Sequence, residues 1–133
     1  MTDTTPSDVT KFETAALASI ALSIPSVIVG GLSRDADAPT QHTLNEFLFA
    51  VVFAGAAALL VLSASRRRNN KARWAFAALT AFSLAMVAWM PSLITGDGLL
   101  AGLLYVGQFA LDLTACFFLF TAASRAWFAG EGG

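Results

Sequence analysis

Residues Leu99–Ser124 read LLAGLLYVGQFALDLTACFFLFTAAS, a 26-residue stretch with one charged side chain, Asp112. As a helix it is long enough to cross a bilayer, because about 20 residues at 1.5 Å rise span the ~30 Å hydrocarbon core. Three comparable apolar stretches precede it, at 14–32, 47–65 and 74–95. The sequence therefore predicts an all-α fold: a polytopic four-transmembrane-helix bundle forming one domain over 1–133, with short polar tails at 1–10 and 128–133.

The composition agrees with a membrane protein. Hydrophobic residues make up 56% and charged residues 13% of the 133 residues, with a mean hydropathy of +0.67, against roughly 45–50% and about 25% in soluble domains. Such a chain is too apolar to be disordered. Eight Lys and Arg against nine Asp and Glu leave no basic excess, so we expect no nucleic-acid partner. The single cysteine excludes an internal disulfide.

Local signals predict where the helices begin and end. The segments Thr10–Glu13 and Thr43–Glu46 fit the capping box, in which a hydroxyl and a carboxylate satisfy free amides at a helix start. Gly30-Gly31 is expected to end the first helix and Gly96-Asp97-Gly98 the third. Because the second of these turns is so short, we expect helices three and four to form a tight antiparallel hairpin.

Prolines and tryptophans add two further expectations. Pro25 and Pro91 are predicted to kink the first and third helices near their far ends. Trp74 and Trp127 are expected at the inner membrane interface and Trp89 toward the outer one, as in an aromatic belt.

The loop between helices two and three carries five positive charges in eight residues: Arg66, Arg67, Arg68, Lys71 and Arg73. By the positive-inside rule this loop is cytoplasmic, and so are both chain termini. The expected location is therefore the cell (inner) membrane, multi-pass, with the lipid bilayer as a partner. The loop could also bind anionic lipid, but we expect its main role to be setting the topology.

Asp112 lies near the middle of the fourth span, where a charged side chain is costly and usually marks a polar pathway or a buried contact. At 100° per residue, Tyr105, Gln108 and Cys116 fall within about 40° of Asp112. The four side chains therefore form one polar stripe. Thr114 lies off the stripe, and its hydroxyl is expected to bond its own helix.

Two hypotheses follow for Asp112. No Lys, Arg or His lies in any apolar span, and burial without a counter-charge penalises the ionised carboxylate. A neutral Asp112 would either exchange a proton or cation during transport, or hydrogen-bond across a helix interface to Gln108, Ser83 or Thr80 and hold the helices together.

Small residues form a face on the first helix, at Ala15, Ser19, Ser23, Ser26 and Gly30. Small residues spaced by about four let helix backbones approach closely, and helices two and three carry alanines at similar spacing. Close packing is the ordinary role of such a face. A serine-lined path beside Asp112 is the alternative.

Other chemistry finds little support in the sequence. His42 is the only histidine, and Asp35, Asp37 and Glu46 lie near it in the sequence. A metal site needs three or four converging ligands, so these residues support one only weakly. Cys116 has no base beside it in the sequence and is expected to act as a small apolar residue. We predict no catalytic residues, no metal and no cofactor.

The sequence thus favours a non-enzymatic assembly or accessory subunit that acts through helix association. The alternative is an oligomeric proton- or cation-coupled transporter or channel using Asp112, with Gln108, Tyr105 and Ser23 lining the path. In either case four short spans enclose little room, so we expect a homo-oligomer or a subunit of a larger membrane complex.

Overall fold

A computed structural model describes residues 4–34, 40–96 and 98–130, with the side chains of all of these except 32–34, 40–43, 93 and 94. All regular structure in these ranges is helical. The helices are α1 (Ser7–Arg34), α2 (Thr40–Arg67), α3 (Asn70–Trp89), α4 (Ser92–Thr95), α5 (Leu99–Leu119) and α6 (Ala122–Ala129). Four of them, α1, α2, α3 and α5, are long and apolar enough to cross a membrane. The predicted all-α, multi-pass four-helix fold is confirmed.

The first two helices begin earlier than predicted. α1 starts at Ser7, and the Thr10 hydroxyl donates to the Pro6 carbonyl (3.4 Å) instead of capping the helix. α2 starts at Thr40, so Thr43–Glu46 lies inside it. Both predicted capping boxes are therefore wrong. The first turn of α1 is stabilised by packing instead, since Val9 is fully buried.

The predicted ends of the first and third helices are also wrong. α1 continues through Gly30-Gly31 to Arg34, and both glycines are buried, so helix packing overrides their tendency to end a helix. α3 stops at Trp89 and does not reach Thr95. The residue before a proline is disfavoured in helical conformation, and Met90 is accordingly non-helical. Pro91 therefore ends α3 at Trp89 instead of kinking it. Pro25 does lie inside α1.

The fourth apolar span is interrupted near its end. α5 ends at Leu119, and Thr121 caps α6 by accepting a hydrogen bond from the Ser124 amide (3.4 Å). The Ser124 hydroxyl donates to the Phe118 carbonyl (2.6 Å), which fixes α6 against the end of α5. The predicted span 99–124 is therefore two helices, and α6 turns Trp127 and Phe128 inward.

α1 is the central helix of the bundle. It makes its most extensive contacts with α5 and the next most with α2, whereas α3 contacts α2 and, more sparsely, α5. The expected tight hairpin between the third and fourth spans is therefore wrong. Ala15, Ala16 and Ser19 of α1 are all buried, and small side chains of this kind allow close helix approach.

One end of the bundle, which we call the basic end, is closely packed. Here Glu13 of α1 accepts hydrogen bonds from Ser65 (2.5 Å) and Arg66 (3.0 Å) of α2, and the Trp127 indole donates to the Ser65 carbonyl (3.3 Å). Beneath these contacts the Phe12 and Phe76 rings meet edge to face with centroids 5.3 Å apart. The opposite end, where α1 finishes and α5 begins, is called the distal end.

The basic loop takes part in this packing. Besides the Arg66–Glu13 ion pair, Arg68 lies over the Trp127 ring at 3.8 Å. Arg73 is buried, 4.4 Å from the centre of the Phe120 ring, and donates to the Asn70 side chain (3.2 Å). Arg67 and Lys71 are exposed. Three of the five basic residues therefore hold helices together, in addition to any role in topology.

The interface tryptophans differ in burial. Trp74 and Trp89 are exposed, 57% and 85%, as residues of an aromatic belt would be. Trp127 is 5% exposed, so it packs inside the bundle. The prediction that it belongs to the aromatic belt is wrong.

Phe12→Ala should lower the stability of the fold. Phe12 is fully buried in the packed basic end, and removing a buried phenylalanine costs about 3 kcal/mol of unfolding free energy. Phe117→Ala is the matched control, because Phe117 is 69% exposed and faces outward. Thermal unfolding in detergent, followed by circular dichroism, measures the difference. Equal destabilisation by both variants would contradict the packing described.

Candidate functional site

The predicted polar stripe of the fourth span faces the inside of the bundle. Asp112 and Gln108 line a cavity of about 110 Å³, the central cavity, between α1, α2, α3 and α5. Its polar lining comes from three helices: Ser19 and Ser23 of α1, Thr80 and Ser83 of α3, and Gln108 and Asp112 of α5. The remainder of the wall is apolar. Six polar side chains that are scattered along the sequence are thus brought together halfway through the bundle.

Asp112 and Ser19 lie on facing helices, α5 and α1, and line the same cavity. The Ser19 hydroxyl donates to the Gln108 carbonyl oxygen (3.3 Å), which ties the two helices together. The predicted partners of Asp112, Gln108, Ser83 and Thr80, line this cavity as well, and a hydrogen bond to one of them stays a prediction. Ser19 comes close to the stripe because α5 runs along α1 more closely than along α3.

Ser19 was predicted only as part of a small-residue face, so its hydrogen bond to α5 was missed. A serine one turn before the middle of a span was the available signal, but nothing in the sequence indicates which helix α5 packs against. Ser19 is 1% exposed. A hydroxyl at this depth needs a partner, and it finds one in the Gln108 carbonyl of α5.

The other members of the stripe extend it in both directions. Cys116 is half-buried and packs against the buried core. Tyr105 lies toward the distal end and lines a second cavity. The Thr114 hydroxyl donates to the Ala110 carbonyl of its own helix (2.8 Å), as predicted.

Two larger cavities adjoin the central cavity in the distal half. The α3-side cavity, about 360 Å³, shares Ser23, Ser83 and Gln108 with the central cavity. The α1–α2 cavity, about 600 Å³, shares Ser23 and Phe53 with it. Ser23 therefore lines all three, and the Asp112 region adjoins open space toward the distal end.

Toward the basic end the central cavity is bounded by apolar side chains. Phe76 lines the cavity and packs against Phe12, which belongs to the buried core together with Val61 and Leu119. The central cavity therefore adjoins larger cavities on its distal side and a packed aromatic core on its basic side.

The small-residue face of α1 has two parts. Ser19 and Ser23 line the central cavity, whereas Ser26 and Gly30 are buried nearer the distal end. The Ser23 and Ser26 hydroxyls donate to carbonyls of their own helix, those of Ile20 (2.5 Å) and Leu22 (2.7 Å). Ser26 and Gly30 therefore pack between helices and Ser19 and Ser23 face a cavity, while a serine-lined path stays a prediction.

The other candidate residues lie away from this cavity. Arg66 and Arg68 line a separate pocket at the basic end together with Glu13, Ser65 and Trp127. In the described part of the chain no group of three or more His, Cys, Asp or Glu could hold a metal ion. The side chain of His42 lies outside the described residues.

Comparison of the chain with protein-family models, with curated proteins and with solved structures finds no match.

Water access to the central cavity can be tested with cysteine reagents. In a Cys116→Ser background, Ser83→Cys should react with a cationic methanethiosulfonate, because Ser83 lines both the central and the α3-side cavity and only a hydrated thiolate reacts. Ala81→Cys is the control, since Ala81 is exposed on the outer face of α3 and would lie in lipid. We expect its labelling to be at least about tenfold slower. Equal rates would contradict a water-accessible cavity.

Proposed function

We propose that this protein is a small proton- or cation-coupled transporter or channel of the cell (inner) membrane, with Asp112 as the group that takes up and releases the ion. The observation that carries the proposal is the convergence of polar side chains from three helices on one cavity around Asp112.

The central cavity has the properties that ion exchange requires. Its volume of about 110 Å³ has room for several water molecules, since one occupies about 30 Å³ in the liquid. Among the residues that the structure describes, no Lys, Arg or His lines the cavity, so a proton or a small cation is the natural counter-charge of the carboxyl. Ionisable groups at this depth typically mark ion pathways and proton relays.

Asymmetric access supports the same function. A transporter binds its ion from one side at a time, and a cavity open on one side and sealed on the other is the arrangement expected of one such state. Here the distal side adjoins larger cavities, and the pair Phe12–Phe76 closes the basic side. If the basic end is cytoplasmic, as its five positive charges favour, this state faces outward.

The alternative, an assembly or accessory subunit, is less well supported. An inter-chain contact through the polar stripe would need Asp112 on the outer surface of the bundle, whereas Asp112 and Gln108 face its own α1 and α3. The outward surface of α5 is apolar, with Leu103, Val106 and Phe117 more than half exposed. Such a surface suits lipid, or a second copy of the chain in the predicted homo-oligomer or larger complex.

Asp112→Asn should abolish coupling without unfolding the protein. Asparagine keeps the size and hydrogen bonding of the side chain but cannot titrate, so we expect ion flux to fall by at least about tenfold. Proteoliposomes with an entrapped pH-sensitive dye, driven by an imposed pH or cation gradient, measure the flux. Asp8→Asn is the matched control, because Asp8 pairs with Lys11 (3.7 Å) in the first turn of α1, far from the cavity.

The same variant tests the alternative. If Asp112→Asn leaves the flux unchanged, or if the wild-type chain conducts nothing, ion coupling is wrong. Loss of the assembled complex in Asp112→Asn, with Asp8→Asn intact, would instead identify an assembly role.

The predicted self-association can be measured directly. We expect the intact wild-type protein, released from detergent into a mass spectrometer, to have a mass of two or more chains of 13.9 kDa each. A mass of a single chain alone, under conditions that keep the helices folded, would contradict the homo-oligomer.

A further inference from the structure

The polar lining of the central cavity consists of oxygen-bearing side chains from three helices. They are four hydroxyls, one amide and one carboxyl: Ser19, Ser23, Thr80, Ser83, Gln108 and Asp112. Among the described residues that line the cavity there is no histidine and no cysteine. Surroundings that offer oxygen alone suit hard cations and do not suit the softer transition metals.

Two of the hydroxyls have already used their hydrogen. The Ser19 hydroxyl donates to the Gln108 carbonyl (3.3 Å) and the Ser23 hydroxyl donates to the Ile20 carbonyl (2.5 Å). A hydroxyl has one hydrogen and two lone pairs, so these serines have only lone pairs left for the cavity. Lone pairs and an ionised carboxylate repel one another, and a cation between them turns that repulsion into attraction.

The charge of the lining favours a monovalent ion. Asp112 is the one charged side chain among the described residues that line the cavity. A monovalent cation neutralises its carboxylate. A divalent cation would leave a net positive charge halfway across the bilayer, where charge is costly, and an anion would meet no opposite charge.

The number of polar groups favours a metal cation over a proton. A proton on the carboxyl needs one oxygen, whereas a hard cation takes about six oxygen ligands from protein and water together. The cavity of about 110 Å³ has room for an ion and part of its hydration shell, at roughly 30 Å³ for each water. The apolar remainder of the wall lowers the local dielectric constant and strengthens the attraction between the ion and the carboxylate.

We propose that the central cavity is a binding site for a monovalent alkali-metal cation, with Na⁺ as its probe. The Asp112 carboxylate is the counter-charge, and side-chain oxygens of α1, α3 and α5 are the neutral ligands. As a transported ion the cation rests on the proposed function; as a bound ligand it does not.

The α3-side cavity is the route by which the cation reaches this site. Its volume of about 360 Å³ has room for a hydrated ion, and it shares Ser23, Ser83 and Gln108 with the central cavity. An entering ion therefore meets protein oxygens before it loses all of its water. This stepwise exchange lowers the cost of dehydration at the apolar centre of the bundle.

Binding of radioactive Na⁺ to the full chain in detergent, measured by equilibrium dialysis, tests the site without any ion gradient. Choline chloride holds the ionic strength constant, so the screening of surface charges does not change. We expect saturable binding that excess unlabelled Na⁺ displaces and choline does not, because the methylated ammonium group of choline takes no oxygen ligands. Absence of saturable Na⁺ binding, or equal displacement by choline, would overturn the proposal.

Three substitutions locate the ligands. Asp112→Asn removes the counter-charge and should weaken Na⁺ binding at least about tenfold. Ser83→Ala and Thr80→Val each remove one oxygen and should weaken it by about three- to tenfold. Thr114→Val is the matched control for Thr80→Val and should bind normally, because the Thr114 hydroxyl donates to the Ala110 carbonyl of its own helix.

Circular dichroism and gel filtration verify that each variant is folded. Unchanged Na⁺ binding in folded Asp112→Asn, or in both folded hydroxyl variants, would overturn the assignment to this cavity. Equal weakening in Thr114→Val and Thr80→Val would overturn it as well, because the loss would then not depend on the cavity.

Failure of this inference is distinguishable from failure of the proposed function. If wild-type protein carries a proton flux that Asp112→Asn abolishes but binds no Na⁺, only the alkali-cation site is wrong. If Na⁺ binds in a way that depends on Asp112 and Ser83 and no flux is found, the cation site stands and ion coupling is wrong.

Discussion

The close approach of α1 and α5, where the Ser19 hydroxyl donates to the Gln108 carbonyl (3.3 Å), is the interaction on which the arrangement of the helices depends. A carboxyl halfway across a bilayer is costly unless it has polar neighbours, and Ser19 and Ser23 of α1 line the cavity that contains Asp112. For the serine to reach α5, the backbones of α1 and α5 must come close, which the buried small residues Ala15, Ala16 and Ala115 allow. The helix pair with the closest packing is thus also the pair that carries the polar contact, and the other two helices complete the cavity around it.

The sequence predicted the features that depend on local pattern. Four apolar stretches and the 100° helical period were sufficient for the spans and for the polar stripe around Asp112, because hydropathy and helix geometry act within one segment. The order of packing was not predictable in this way. Which helix lies against α5 depends on side chains such as Ser19, whose small size acts only when two helices meet. The predictions of the helix ends were wrong for a related reason. Val9 and Gly30 are buried between helices, and this tertiary packing overrides the capping and glycine signals.

The two ends of the bundle differ in their physical character. At the basic end the aromatic core, the Glu13–Arg66 ion pair and the Trp127–Ser65 hydrogen bond tie α1, α2 and α6 together. Toward the distal end the helices enclose cavities, and Ser23 lines all three of them. One small bundle thus combines a densely packed half with a half that encloses cavities.

The surroundings of Arg73 have a mechanical consequence. Its guanidinium lies against the rings of Phe120, at the end of α5, and Phe128, in α6. The start of α3 is therefore held against these two helices. The other end of α3 stops at Trp89, which is 85% exposed. α3 is therefore anchored at its start, whereas Ser83 and Met86, which line the cavities beside Asp112, lie toward its more exposed end. A change in the angle of α3 would widen or narrow that space while the start of the helix stayed in place.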